Sequence, residues 1–224
     1  QLAQARALQA YTETLRPAPR NSGIMFWQFN EPAPAISWSA ADYLASPKAI
    51  AHYAKRLYAP HFIAVSYRYL DQLTGLVRPE HLVICNDSPN PLTARLSCCL
   101  LDLEGKTLDE LSYPVSVAPF TASQPINLPR ALARPAEPRR CALHARLCNE
   151  RETLARRLFL YMPDKYIKWP RATVRTKTSP ISARKFTVTV TADAVVKDLC
   201  LSAETETEFS NNFFDVIPPL STTI

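Results

Sequence analysis

Residues 21–60 read NSGIMFWQFNEPAPAISWSAADYLASPKAIAHYAKRLYAP. Within them residues 23–29, GIMFWQF, form a short continuous apolar run, the pattern of a strand covered on both faces. A loop carrying Pro32 and Pro34 follows, and Ala49–Leu57 returns to helical spacing before Pro60. Upstream, residues 1–15 set Leu2, Ala5, Leu8, Ala10, Tyr11 and Leu15 at helical spacing, and Pro17 and Pro19 stop the pattern. Helix, buried strand, loop, helix is the texture of parallel α/β structure. A single parallel strand leaves its backbone donors and acceptors unpaired, so residues 1–60 are not expected to stand alone.

Downstream the periodicity changes. Over residues 61–162 short alternating or apolar runs recur at roughly ten-residue spacing: HFIAVSYRY, HLVICN, ARLSCCLLDL, LSYPVSV, CALHARL and TLARRLFLYM. Turn signals separate them, notably NDSPNP at residues 86–91 and EGK at 104–106. Six or seven such strands in about 100 residues suit an immunoglobulin-like sandwich, here without the Cys–Trp–Cys spacing of antibody domains. Residues 163–224 repeat the texture, with PRATVRTKT, KFTVTVTA and VVKDLCLSAE as strands and FSNNFFDVIPP as a tight loop. Three or four strands are too few to close a sandwich, so this second immunoglobulin-like domain is expected to be incomplete.

Composition narrows the function classes. Of 224 residues 47% are hydrophobic and 21% charged, ordinary values for a globular chain. Proline occurs 20 times but glycine only three, which leaves no material for a glycine-rich phosphate cradle. The net charge of +6 is dispersed, its densest clusters being Arg139–Arg140 and Arg156–Arg157, so no nucleic-acid partner is expected. No stretch approaches the roughly 18 apolar residues of a membrane span. The chain starts at Gln1 in a charged helical pattern unlike a secretory leader, which suggests a piece of something longer. Six cysteines form no CxxC, and the four histidines lie far from them, so neither metal nor cofactor is expected. Cys98 and Cys99 are adjacent and therefore point to opposite faces of one strand. Buried reduced thiols are the favoured state, hinting at a reducing, cytoplasmic compartment, with an inter-strand disulfide the alternative.

The most specific information lies again in residues 21–60. They resemble the last strand, loop and helix of the (β/α)8 barrel of family 2 β-mannosidases. The elements that carry the resemblance are Trp27, Gln28, Asn30, the Ser37-Trp38-Ser39 triplet, Asp42, Tyr43, Lys48, Ala59 and Pro60. The leading QLAQARALQAY looks like the preceding barrel helix. Residues 85–88 (CNDS), 101–106 (LDLEGK) and 209–215 (FSNNFFD) are similar to motifs of the family's β-domains. The implied fold is mixed: the C-terminal end of a barrel in 1–60, an immunoglobulin-like sandwich in 61–162 and a second such domain in 163–224. The implied activity is two-step retaining hydrolysis of terminal non-reducing β-D-mannose, acting on a β-mannoside or oligosaccharide. Such a mechanism needs two carboxyl groups about 5–5.5 Å apart, one acid/base and one nucleophile. The resemblance puts both on earlier barrel strands, in an N-terminal barrel segment absent from this sequence, so the chain itself has no catalytic residue and should be silent.

Substrate contact, rather than chemistry, is what the resemblance leaves here. Trp27, near the C-terminal end of a barrel strand, would stack its indole on a pyranose. Asn30 would bind a sugar hydroxyl or cap the loop, and Trp38, a further candidate sugar contact, is read mainly as loop packing. Glu31 follows Asn30 but stands in the wrong context for a catalytic acid, and is read as a loop or pocket-rim carboxylate. Ala33 departs from the family, which often has tryptophan there; the sugar preference is open on that account. Asp102 and Glu104 bracket a turn, and His144 reads as an ordinary strand residue. The rivals are a non-catalytic sandwich that binds glycan or protein, and a family 2 glycosidase with another sugar preference.

Overall fold

The computed structural model describes residues 1–205 and 207–224. It opens with two helices, α1 (Leu2–Leu15) and α2 (Ala49–Leu57), each where its apolar spacing predicts it. The rest is almost entirely β. Strands β1 (His61–Asp71), β2 (Leu76–Asn86), β5 (Thr121–Ala122) and β6 (Ile126–Asn127) make one sheet, in which β2 pairs with all three others. Strands β3 (Leu92–Asp102), β4 (Thr107–Val117), β7 (Cys141–Cys148) and β8 (Thr153–Leu160) make the second, in the order β4-β3-β7-β8. The two sheets face each other as a sandwich. Its interior holds Ile63, Leu82 and Ile84 from the first sheet against Leu96, Leu143, Leu147 and Tyr161 from the second, all essentially inaccessible to water. Burying each such aliphatic side chain contributes roughly 1.5–3 kcal/mol.

The outer faces of both sheets are covered too. On the first, Phe62, Ala64, Val83 and Cys85 pack against Ala5, Leu8, Ile50, Tyr53 and Leu57 of the helices. Strands β1 and β2 are therefore the pair buried on both sides, and their runs FIAV and LVIC are continuous for that reason. On the second sheet, Cys99, Leu101, Ala142 and Leu158 pack against Val195 and Ile217 from further along the chain. Cys98 points into the sandwich and Cys99 out of it, as the pleat requires. All six cysteines are free thiols, four of them buried.

Beyond residue 173 lie β9 (Val174–Ser182), β10 (Lys185–Ala192), β11 (Val196–Leu199), β12 (Phe214–Val216) and β13 (Thr222–Thr223). They form a three-stranded sheet β13-β10-β9 and a two-stranded sheet β11-β12 around Val190, Phe214 and Val216. Two expectations are corrected here. The stretch FSNNFFDVIPP is not wholly a loop, because residues 214–216 pair with β11. More consequentially, residues 23–29 form no strand, and no barrel portion is evident among the described residues. The physical reason is the one that made the segment suspect: nothing lies alongside it to accept a sheet ladder. It runs extended instead, with Ile24 and Phe26 turned toward the helices and the alternate side chains turned to solvent.

Candidate functional site

The exposed side of that extended segment carries Met25 at 97%, Trp27 at 74% and Phe29 at 74% accessibility. Phe26, on the other side, stacks on Tyr58 with ring centroids 6.4 Å apart, and the Tyr58 hydroxyl donates to the Ile24 carbonyl at 3.2 Å. The Trp27–Gln28 peptide is cis. Two bonds then tie the segment to the loop beyond: Ala40 N–H donates to the Gln28 carbonyl at 3.0 Å and Ala41 N–H to that of Phe29 at 2.8 Å.

Between these ties the loop is organised on a buried carboxylate. Glu31 accepts from the Ser37 hydroxyl and, at 2.9 Å, from Lys48 Nζ; Lys48 also donates to Ser39 Oγ at 2.8 Å. The Ser37 hydroxyl lies 3.0 Å from that of Ser39. Alternation along Ser37-Trp38-Ser39 thus sends both hydroxyls inward and leaves the Trp38 indole 61% exposed, while Gln4 holds the Trp38 carbonyl. Asp42 closes the next turn by accepting from the Leu44 and Ser46 N–H groups, each at 2.9 Å.

Glu31 is therefore a structural carboxylate. The hydrogen bonds from Ser37 and then Lys48 hold its carboxyl below the usual range, the reverse of what a general acid requires. Among the described residues no second carboxylate joins it. Asn30 is exposed, and no hydrogen bond engages its side chain. Trp27 and Trp38 do not stack on each other, and the cavities in the β-domains are lined by other residues. The segment thus puts Trp27, Asn30 and Trp38 on the same exposed stretch of chain without gathering them into a closed pocket. Lys48, which completes the loop, carries part of the resemblance, but no local signal gives its pairing, since its partner is 17 positions away.

Sequence reading also gave no sign of the polar hub that fixes the helices to the C-terminal strands. Asp198 is buried, accepts from Arg6 and from the Tyr53 hydroxyl, and forms an ion pair with Lys197 at 3.3 Å. Burial alone would raise its carboxyl; Lys197, Tyr53 and Arg6 together hold it below the ordinary range. Beside it, Arg56 donates to the carbonyls of Asn212 at 2.9 Å and Phe213 at 2.8 Å, and Lys55 to that of Ser210 at 2.8 Å. The FSNNFFD motif is thereby seated on the last turn of α2.

Family models match two stretches, a mannosidase Ig/CBM-like domain at residues 80–166 and an Ig-fold domain at 169–224. The chain carries two immunoglobulin-like domains of family 2 glycosidases. No curated protein matches it by sequence. Among solved structures it is similar to the β-D-mannosidase of Dictyoglomus thermophilum, with a TM-score of 0.82 at 19% identity. That match covers 100% of this chain and 26% of the other. The exo-chitosanase CsxA of Amycolatopsis orientalis matches with a TM-score of 0.67 at 13% identity, over 99% of this chain and 30% of that one. At these identities the likeness is one of fold. The Ig/CBM-like match takes in β2 from Glu80 onward and β3–β8 of the sandwich, and the Ig-fold match holds β9–β13. The chain spans between a quarter and a third of the length of these structures.

Proposed function

We propose that this chain is the C-terminal region of a retaining β-mannosidase, its residues 1–60 completing a (β/α)8 barrel contributed by an upstream segment of the same polypeptide. The observation that carries this reading is the outward row Met25, Trp27 and Phe29 on an extended segment that lacks a sheet neighbour. Three large apolar side chains in a row, with Ile36 and Trp38 also exposed in the loop beyond, are exposed apolar surface of the kind that marks an interaction surface. A strand laid alongside would satisfy the free backbone groups and bury one side of the row. Trp27, near the end of such a strand, would then face the sugar, with Asn30 offered to a hydroxyl and Trp38 at the rim. The β-domains would buttress the barrel from below through α1 and α2. On this reading the chain alone lacks proton transfer and nucleophilic attack, because both catalytic carboxylates belong to the upstream barrel strands.

The test compares hydrolysis of a chromogenic β-mannoside by the purified chain and by the chain extended upstream. Activity is expected only in the extended protein. There, Glu31→Gln should cost less than about tenfold, whereas loss of a general acid costs about 10²–10⁴. Hydrolysis by the short chain that vanishes with Glu31→Gln would overturn the assignment. A second reading, a non-catalytic glycan-binding module, is favoured by one observation, the Ig/CBM-like description of residues 80–166. Saturable binding of mannooligosaccharide by a chain inactive in both forms would favour it.

A further inference from the structure

The outer face of the β3–β7–β8 sheet is divided. Its lower half, with Cys99, Ala142 and Leu158, is covered by the Ig-fold domain. Its upper half is open and basic. Register sets Arg146 of β7 directly opposite Arg156 of β8, with Ser97 of β3 on the other side of Arg146. Ser112 continues the same row on β4, and Arg95 donates to its hydroxyl at 3.1 Å. Like charges directly opposite on neighbouring strands destabilise a sheet. Neither Arg146 nor Arg156 forms an ion pair among the described residues. Glu110, the acid nearest this row by register, is engaged by the Ser97 hydroxyl at 3.2 Å. Partial burial and the Arg146 charge both act against protonated Arg156, with no carboxylate offsetting them.

A second observation points the same way. His144, in the covered row next to Arg146 and between Cys99 and Leu158, is 3% exposed, and its Nε2 has no hydrogen-bond partner among the described residues. Buried polar atoms are nearly always satisfied, so an orphan beside two uncompensated guanidinium groups calls for a missing partner. There is room for a ligand larger than an ion. Arg156, though not Arg146, also lines a cleft bounded by β8, the helices and the C-terminal strands, a cavity of about 560 Å³ shared with Arg56, Lys197, Asn211 and Asp215. That volume lies in the range of small-molecule sites.

We propose that Arg146 and Arg156 form an oxyanion-binding site beside this cleft, with Arg156 reaching into it, which takes the sulfate or carboxylate of an acidic saccharide. Two facing guanidinium groups suit such a group because each presents a planar fork of donors to a pair of oxygens. The serine hydroxyls alongside suit the neighbouring sugar hydroxyls. The site is separate from the Trp27 segment and does not depend on the mannosidase reading.

Calorimetric titration of the full chain, at fixed ionic strength, tests it with three probes: inorganic sulfate, a sulfated oligosaccharide and a neutral mannooligosaccharide. Saturable binding of the sulfated oligosaccharide is expected, with weaker binding of sulfate and none of the neutral sugar at this site. Arg146→Gln and Arg156→Gln should each weaken binding at least tenfold, while Lys177→Gln, on exposed β9, should leave it unchanged. Each arginine variant should be at least as heat-stable as the parent without anion, since it relieves the repulsion. The anion should raise the Tm of the parent only and move the His144 imidazole resonances. Failure of the parent to bind either sulfated probe would overturn the proposal, as would an equal loss in Lys177→Gln. Binding of inorganic sulfate with no gain from the oligosaccharide would keep the oxyanion site and remove the saccharide from it.

Discussion

Replacing Asp198 with alanine should loosen the attachment of the C-terminal strands to the helices, and the cost can be worked from its contacts. Asp198 is the acceptor for the buried Tyr53 hydroxyl, and leaving that hydroxyl unpaired costs about 1–3 kcal/mol. Lys197 would keep only the more distant Asp215, at 3.8 Å. Arg6 would lose less, because it also pairs with Asp164 at 2.6 Å near the surface. Asp198 has φ +53°, a left-handed conformation that asparagine and aspartate tolerate better than alanine, by roughly 1 kcal/mol. The total is about 3 kcal/mol, which lowers the urea midpoint of the transition that includes these strands by roughly 1–2 M. Asp198→Asn keeps an acceptor for Tyr53 and tolerates the backbone, so it should cost about 1 kcal/mol. Urea titration followed by far-UV circular dichroism measures both. Equal effects of the two substitutions, or a loss under about 0.5 kcal/mol in Asp198→Ala, would refute the accounting.

Three further expectations follow from single sites. Burial first, and then Arg146 and Arg156, push His144 down to about 3, so the unfolded chain binds its proton more readily than the folded one. Stability should therefore be full above about pH 6.5 and fall as pH drops toward 3, by about 2 kcal/mol at pH 5; His144→Gln should flatten that part of a urea-midpoint profile. Gly105 has φ +92°, and a Cβ there would stand 2.7 Å from Pro218 Cβ, so Gly105→Ala should cost about 2–3 kcal/mol in thermal unfolding. Trp27→Ala should change the stability of this chain by less than about 0.5 kcal/mol, since the ring is exposed, yet reduce mannoside hydrolysis by the extended protein more than tenfold.

Local pattern was readable wherever one element decides its own conformation. The helices α1 and α2 and six strands of the first sandwich lie where apolar spacing puts them, and the two faces of Cys98-Cys99 follow from the pleat alone. The double burial inferred for residues 23–29 belongs to β1 and β2 instead, because continuous apolar runs do not say which neighbours are present. In the candidate site, Trp27, Asn30 and Trp38 stood out through resemblance, whereas the ion pair that shapes their loop did not. Glu31 and Lys48 gain their meaning only when the chain folds back across 17 positions. Asp198 was still less visible: its partner Arg6 is 192 residues away, and a lone aspartate in a strand pattern looks solvated.

The seating of the FSNNFFD motif on α2 gives the C-terminal domain a second attachment. The first is covalent, through the few residues between the short helix at Asp164–Tyr166 and β9. A tether this short holds the domain at an effective concentration near millimolar, so each weak contact, the donors from Lys55 and Arg56 among them, counts for more than it would between separate molecules. The same contacts between two separate molecules would hardly associate. The clasp can therefore be modest, because the Asp198 hub and the packing of Val195 and Ile217 on the second sheet share in orienting the last domain.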